Sequence, residues 1–147
     1  MLNMLRNILA IILGLAIGGA VNMALIMLSP SIIPPPAGVD VSNVESIATA
    51  MQMGLYEPKH FIMPFLAHAL GTLTGAFIAY LVAASYKAQL VYVIGLAFLC
   101  GGIAASYMIP APIWFIALDI VFAYIPMAWL GIMFANRIMP WNRIAIK

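Results

Sequence analysis

The sequence predicts an all-α integral membrane protein, an up-down antiparallel bundle of four transmembrane helices. Three observations lead there. Of 147 residues, 66% are hydrophobic and 7% are charged, with a mean hydropathy of +1.13. A soluble domain carries about 25% charged residues, and so few charges cannot cover a water-facing surface. Four apolar runs, at about residues 7–29, 58–84, 88–109 and 112–135, each reach the roughly 20 helical residues needed to cross a hydrocarbon core. The connections between the last three runs are short turns, Ser85–Gln89 and Met108–Pro112, which make consecutive helices antiparallel neighbours.

Residues 1–147 read as a single membrane domain with an external loop at 30–57 and a tail at 136–147. The first run is too long for a signal peptide core, and no small-residue cleavage site follows it, so it is expected to be retained. Ser29-Pro30 and the Pro34-Pro35-Pro36 run are expected to end it. The loop then offers a Ser-x-x-Glu capping pattern at Ser42 and Glu45. Val44, Ile47, Ala48, Met51 and Leu55 recur at helical spacing, and Gly54 can stop the helix. This predicts a short amphipathic helix over about 43–54, lying on the outer membrane surface or folded over the bundle mouth.

Charge placement gives the orientation. Arg6, Lys87, Arg137, Arg143 and Lys147 fall on one side of the spans, whereas Lys59 falls on the other with Asp40, Glu45 and Glu57. Anionic lipid and the membrane potential hold lysine and arginine on the cytoplasmic side, so both termini are expected there. Trp141 is one of the expected inner anchors, and Tyr56 and Trp114 are expected outer ones.

Small residues mark the faces that touch. Ala10, Gly14, Gly18 and Asn22 are four apart in the first span, as are Ala67, Gly71, Gly75 and Ala79 in the second. Each series contains Gly-x-x-x-Gly, which permits close backbone approach where lipid supplies no hydrophobic drive. Gly95, Gly102 and Ser106 suggest a similar role in the third. Such faces serve packing within one chain or between copies.

Polar residues inside the spans mark a candidate site. Counting inward, Asn22, His68 and Asp119 each lie about seven residues below the outer edge, roughly 10 Å at 1.5 Å per residue. Thr72 lies one turn deeper than His68. An aspartate near mid-membrane costs roughly 2.5–3.5 kcal/mol on insertion scales unless it faces the bundle interior and finds a donor. Asn22, His68, Thr72 and Asp119 are therefore expected to form a buried polar cluster, either a ligand or proton site or interhelical glue. Pro126 is expected to kink the fourth span beside Tyr124.

Several chemistries are excluded or disfavoured. No helix carries paired metal ligands at four-residue spacing, so no metal is expected. The eleven methionines read as adaptable packing residues rather than a Cu(I) set. The single cysteine, Cys100, excludes an internal disulfide and reads as a small packing residue. Ser106 beside His68 and Asp119 lacks a nucleophile turn. With no nucleotide loop or basic patch, neither a cofactor nor nucleic acid is expected.

The stretches VNMALIML, EPKHFIMPFLAHALGTL and WFIALDIVFAYIPMAWLG resemble small bacterial four-span inner-membrane proteins of no assigned activity. The resemblance implies a bacterial inner-membrane location and a four-span fold, and no activity. Two functional expectations follow from the residues. One is a non-catalytic accessory or assembly subunit, packing against itself or a larger membrane complex. The other is a small oligomeric transporter or channel that uses the His68/Asp119 cluster.

Overall fold

The structure, a computed structural model, describes residues 1–139. The part of the 136–147 tail beyond Met139, including Trp141, Arg143 and Lys147, lies outside the described residues. The described chain is all-helical: α1 (Leu2–Ile32), α2 (Val44–Gln52), α3 (Ile62–Val82) continuing a 3-10 turn at Pro58–Phe61, α4 (Lys87–Met108), α5 (Ile113–Phe122) and α6 (Ile125–Ile138). Four segments are long and apolar enough to cross a membrane: Leu2–Ile32, Pro58–Val82, Lys87–Met108 and Ile113–Ile138. The protein is therefore a multi-pass membrane protein by length and composition.

Two spans differ from expectation in their bounds. α1 runs from Leu2 through Pro30 to Ile32, longer at both ends than 7–29. A proline removes the bond to the carbonyl four residues earlier but leaves later amides free to bond, and Ile33 N–H still donates to the Ser29 carbonyl at 2.8 Å. The fourth span continues to Ile138 and is broken into α5 and α6 at Ala123–Tyr124, with Pro126 in the first turn of α6. Proline suits a helix start, where its missing N–H has no intrahelical partner.

α1 and α3 share a closely packed antiparallel seam. A Cβ placed on Gly14 would lie 2.8 Å from the Gly75 carbonyl oxygen, and one on Gly18 would lie 2.6 Å from the Gly71 carbonyl oxygen. The Gly-x-x-x-Gly faces of Gly14/Gly18 and Gly71/Gly75 thus meet each other within the chain. α6 packs on the far side of α3 by the same device, with Gly131 against Ala76 and the Leu73 carbonyl. In α4, Gly95 lies against Ala128, whereas Ser106 is partly exposed and donates to the Ile103 carbonyl of its own helix at 2.7 Å. Ala76, Ala79, Tyr80, Val91, Ile94, Ala128 and Ala135 form the core between α3, α4 and α6. Cys100 is exposed and does not serve as a buried packing residue.

The end carrying Arg6, Lys87 and Arg137 is tied by polar contacts. Asn7 Oδ1 accepts from Ala84 N–H at 3.0 Å and Ser85 N–H at 3.2 Å, while its amide nitrogen donates to Ser85 Oγ at 2.9 Å. Asn7 thereby satisfies the amides of the tight turn into α4, where Tyr86 adopts a left-handed φ of 51°. Lys87 Nζ donates to the Tyr80 carbonyl at 2.7 Å and lies over the Tyr80 ring, whose hydroxyl bonds Asn136.

The connection Pro34–Glu57 caps the other end. Its helix is Val44–Gln52, and its N-cap is Asn43, not Ser42: Asn43 Oδ1 accepts from Glu45 N–H at 2.9 Å and Ser46 N–H at 3.3 Å. Ser42 turns the other way and donates through its backbone N–H and its hydroxyl to Asp40 Oδ1, at 2.9 and 2.6 Å. Those two donors stabilise the carboxylate and hold the Asp40 pKa below its ordinary value.

Candidate functional site

The site is built by three helices. His68 sits two turns into α3, one residue on from Ala67, which faces α1; at 3.6 residues per turn this places it about 100° round the helix. It meets Asp119 near the end of α5. His68 Nδ1 lies 2.8 Å from Asp119 Oδ2 and 3.0 Å from Oδ1. Asp119 is 5% exposed. A carboxylate so deep in an apolar span needs donors to offset its lost hydration.

Tyr124 supplies the second donor. Its hydroxyl donates to Asp119 Oδ2 at 2.6 Å and lies 3.1 Å from His68 Nδ1, with the two rings stacked at 5.8 Å. The break after α5 frees Tyr124 from regular helix geometry and lets it turn back toward Asp119. Gly102 of α4 makes the room, since a Cβ there would overlap the Tyr124 hydroxyl. Tyr124, fully buried, is the member that sequence reading missed as a partner; its signal was a phenol five residues after a buried acid and two before a proline.

The remaining expected members stand apart. Thr72 is fully buried, but its hydroxyl donates to the His68 carbonyl at 2.8 Å and so is spent on its own helix. Asn22 lies on the α1–α3 seam, its Cβ 2.8 Å from where a Gly71 Cβ would be. No hydrogen bond among the described residues joins it to His68 or Asp119, and its Oδ1 is buried without a partner. Equal depth brought Asn22 to the same level but not to the same face.

His68 and Asp119 line the deep end of a cavity of about 540 Å³ that lies between the capping connection and the bundle. Its volume falls within the roughly 300–1,000 Å³ of small-molecule sites. The walls are mostly apolar, with Ile26, Phe61, Ala105, Phe115 and Ile120 among them, and α2 contributes Ile47 and Met51 from above. Among the described residues no lysine or arginine lines it, and Asp119 is the one acid that does. His60 also lines it, with Nδ1 accepting from Glu57 N–H at 2.9 Å, and its ring meets Tyr56 edge-on at 5.3 Å.

The proton arrangement follows from the bonds. With both Asp119 oxygens facing Nδ1, the imidazole carries a proton there and donates it to the carboxylate. The other nitrogen, Nε2, has no hydrogen bond among the described residues, and Asn22 Oδ1 is the one buried side-chain atom among them without a partner. Nε2 therefore keeps accessible surface, and His68 is among the residues that line the cavity. The unit can hold a proton at Nε2 or accept a hydrogen bond there, with Asp119 orienting the ring and balancing an imidazolium charge. Among the described residues no cluster of three histidine, cysteine, aspartate or glutamate side chains could hold a metal ion. No protein-family model, curated protein or solved structure matches the chain.

Proposed function

We propose that the protein is a small bacterial inner-membrane carrier. In this reading it takes a small, largely apolar molecule into the cavity from the outer side and carries a proton on His68, with both termini cytoplasmic. The observation that carries the reading is the His68–Asp119 pair, bonded at 2.8 Å at the deep end of a ligand-sized apolar cavity. Interhelical glue needs no cavity beside it, and a cavity-lining histidine whose second nitrogen is accessible can exchange a proton as a ligand arrives. The break between α5 and α6 supports a hinge just below the site. The charge pattern supports the orientation: Arg6, Lys87 and Arg137 lie at the end away from the cavity, and Asp40, Glu45 and Glu57 lie on the cavity side.

A second reading is an accessory or assembly subunit, alone or as a homo-oligomer. It is favoured by α1, which packs by one glycine face and leaves Leu5, Ile12, Leu15 and Met23 exposed to lipid or to another chain. Proteoliposomes with an internal pH reporter separate the two. Solute-dependent proton movement in the parent, lost in Asp119→Asn, supports the carrier. A parent that moves neither protons nor solutes, and that co-purifies from native membrane with a larger complex, replaces it with the accessory role.

A further inference from the structure

The chemistry of the cavity names the class of molecule it takes, an inference that rests on the carrier reading. We infer that the ligand is a neutral, mainly aromatic or aliphatic molecule with a single weakly acidic O–H, which donates to His68 Nε2.

Three observations converge on that class. The first is the tautomer. The Nδ1 proton is committed to Asp119 at 2.8 and 3.0 Å, so in the neutral ring Nε2 is a lone-pair acceptor. The carboxylate fixes the ring's orientation through Nδ1, and the Tyr124 hydroxyl at 2.6 Å holds the carboxylate in place. The second is charge. Among the described residues no lysine or arginine stands in the cavity wall, so a permanently charged anion would meet no fixed cation there and would face Asp119. A permanent cation would find one carboxylate whose oxygens are already engaged by His68 and Tyr124. A neutral molecule meets neither penalty. The third is the wall itself. Phe61 and Phe115, tilted 37° to one another at 4.8 Å, and Tyr56 give the upper cavity an aromatic lining suited to a flat ring.

An acidic O–H also explains why the acceptor is a histidine backed by an aspartate rather than a threonine or an asparagine. The ligand O–H bond can break as an Nε2–H bond forms, which leaves an oxyanion beside an imidazolium that is itself paired with Asp119. The proton count and the net charge of the complex do not change during that transfer. No charge has to enter or leave the membrane for the ligand to be held in either form.

The test uses the full chain in lipid nanodiscs at mildly alkaline pH, with 1-naphthol and its methyl ether, 1-methoxynaphthalene, as a matched pair. Empty nanodiscs correct for partitioning. The expected result is saturable binding of both, tighter for 1-naphthol by roughly three- to tenfold, the worth of one net hydrogen bond. In His68→Phe that preference should vanish. In Ala105→Phe, which fills the cavity wall, both should lose binding. Because His68→Phe can also disturb assembly, the 15N shift of His68 Nε2 in the parent gives an independent reading, and it should move with 1-naphthol and not with the ether. Equal affinities and equal shifts for the pair would overturn the O–H assignment while leaving the apolar cavity intact. Absence of saturable binding for both, unaltered by Ala105→Phe, would overturn the cavity reading as well.

Discussion

Gly18 of α1 and Gly71 of α3 each occupy the space that the other's side chain would need. A Cβ on Gly18 would come within 2.6 Å of the Gly71 carbonyl oxygen, and a Cβ on Gly71 within 2.9 Å of the Gly18 carbonyl oxygen. Contact at backbone distance is what holds two apolar helices together when lipid is as apolar as they are. Gly18→Leu and Gly71→Leu should each lower the midpoint of thermal unfolding in detergent, by a destabilisation of about 1–3 kcal/mol or more. Gly19, one residue away, has no atom within 4 Å of its Cβ position, so Gly19→Ala should leave the midpoint unchanged or raise it. Equal midpoints for Gly18→Leu and Gly19→Ala would remove the seam.

The His68–Asp119 pair should appear as a coupling. His68→Ala leaves a buried carboxylate with Tyr124 as its remaining donor, whereas Asp119→Asn leaves a neutral amide, so His68→Ala should be the more destabilising. A double-mutant cycle should give non-additivity of about 0.5–2 kcal/mol. Strict additivity, with both variants folded, would show that the side chains do not interact.

Gly102 and Tyr124 form a steric pair. A methyl at Gly102 would occupy the position of the Tyr124 hydroxyl, so Gly102→Ala should expel the phenol from Asp119 and lower stability. Combining it with Tyr124→Phe, which deletes the colliding oxygen, should recover part of the loss. If Gly102→Ala is equally harmful with Phe at position 124, the collision lies with the ring carbon Cζ, 2.5 Å from the Cβ position, rather than with the hydroxyl.

The capping connection carries its own pH signature. Asp40 accepts two bonds from Ser42, and its folded pKa lies below its ordinary 3.8. A carboxylate with a depressed folded pKa stabilises the fold above its unfolded pKa and loses that contribution as pH falls through the folded one. Its NMR titration midpoint should therefore lie below 3.8 and rise toward that value in Ser42→Ala. Asn43→Ala removes the N-cap of α2 and should speed amide exchange in Val44–Gln52, at a local cost of about 1 kcal/mol. The same exchange effect from Ser42→Ala alone would reinstate Ser42 as the cap.

Orientation is open to labelling. In a Cys100→Ser background, Ser46→Cys should react with an impermeant thiol reagent added outside intact cells, and Tyr86→Cys should react only after the membrane is opened. The reverse pattern would invert the topology.

The four spans and the glycine faces were legible in the sequence because both depend on local quantities, namely the length of an apolar run and four-residue spacing. His68 and Asp119 were legible as a pair because a buried charge must find a partner and depth can be counted along a helix. Rotation is harder to count than depth. Asn22 lies at the right level, but α1 turns it to Gly71 on the seam rather than toward α5. Tyr124 was legible beside the Pro126 kink but not as a partner of Asp119, because its orientation depends on the break after Phe122, a tertiary outcome. The cap moved one residue, from Ser42 to Asn43, because Asp40 competes for the Ser42 hydroxyl. α1 outlasted Pro30 because the bonds beyond a proline remain available.

The bonds made by Asn7 bear on the order of synthesis. Its partners, Ala84 and Ser85, follow it by 77 and 78 residues. A ribosome delivers Asn7 and the glycine face of α1 long before those partners exist. The seam partners in α3, Gly71 and Gly75, are made first, and the Asn7 bonds can close only once Ala84 and Ser85 follow. A chain cut before residue 84 would contain the glycine seam but not its latch.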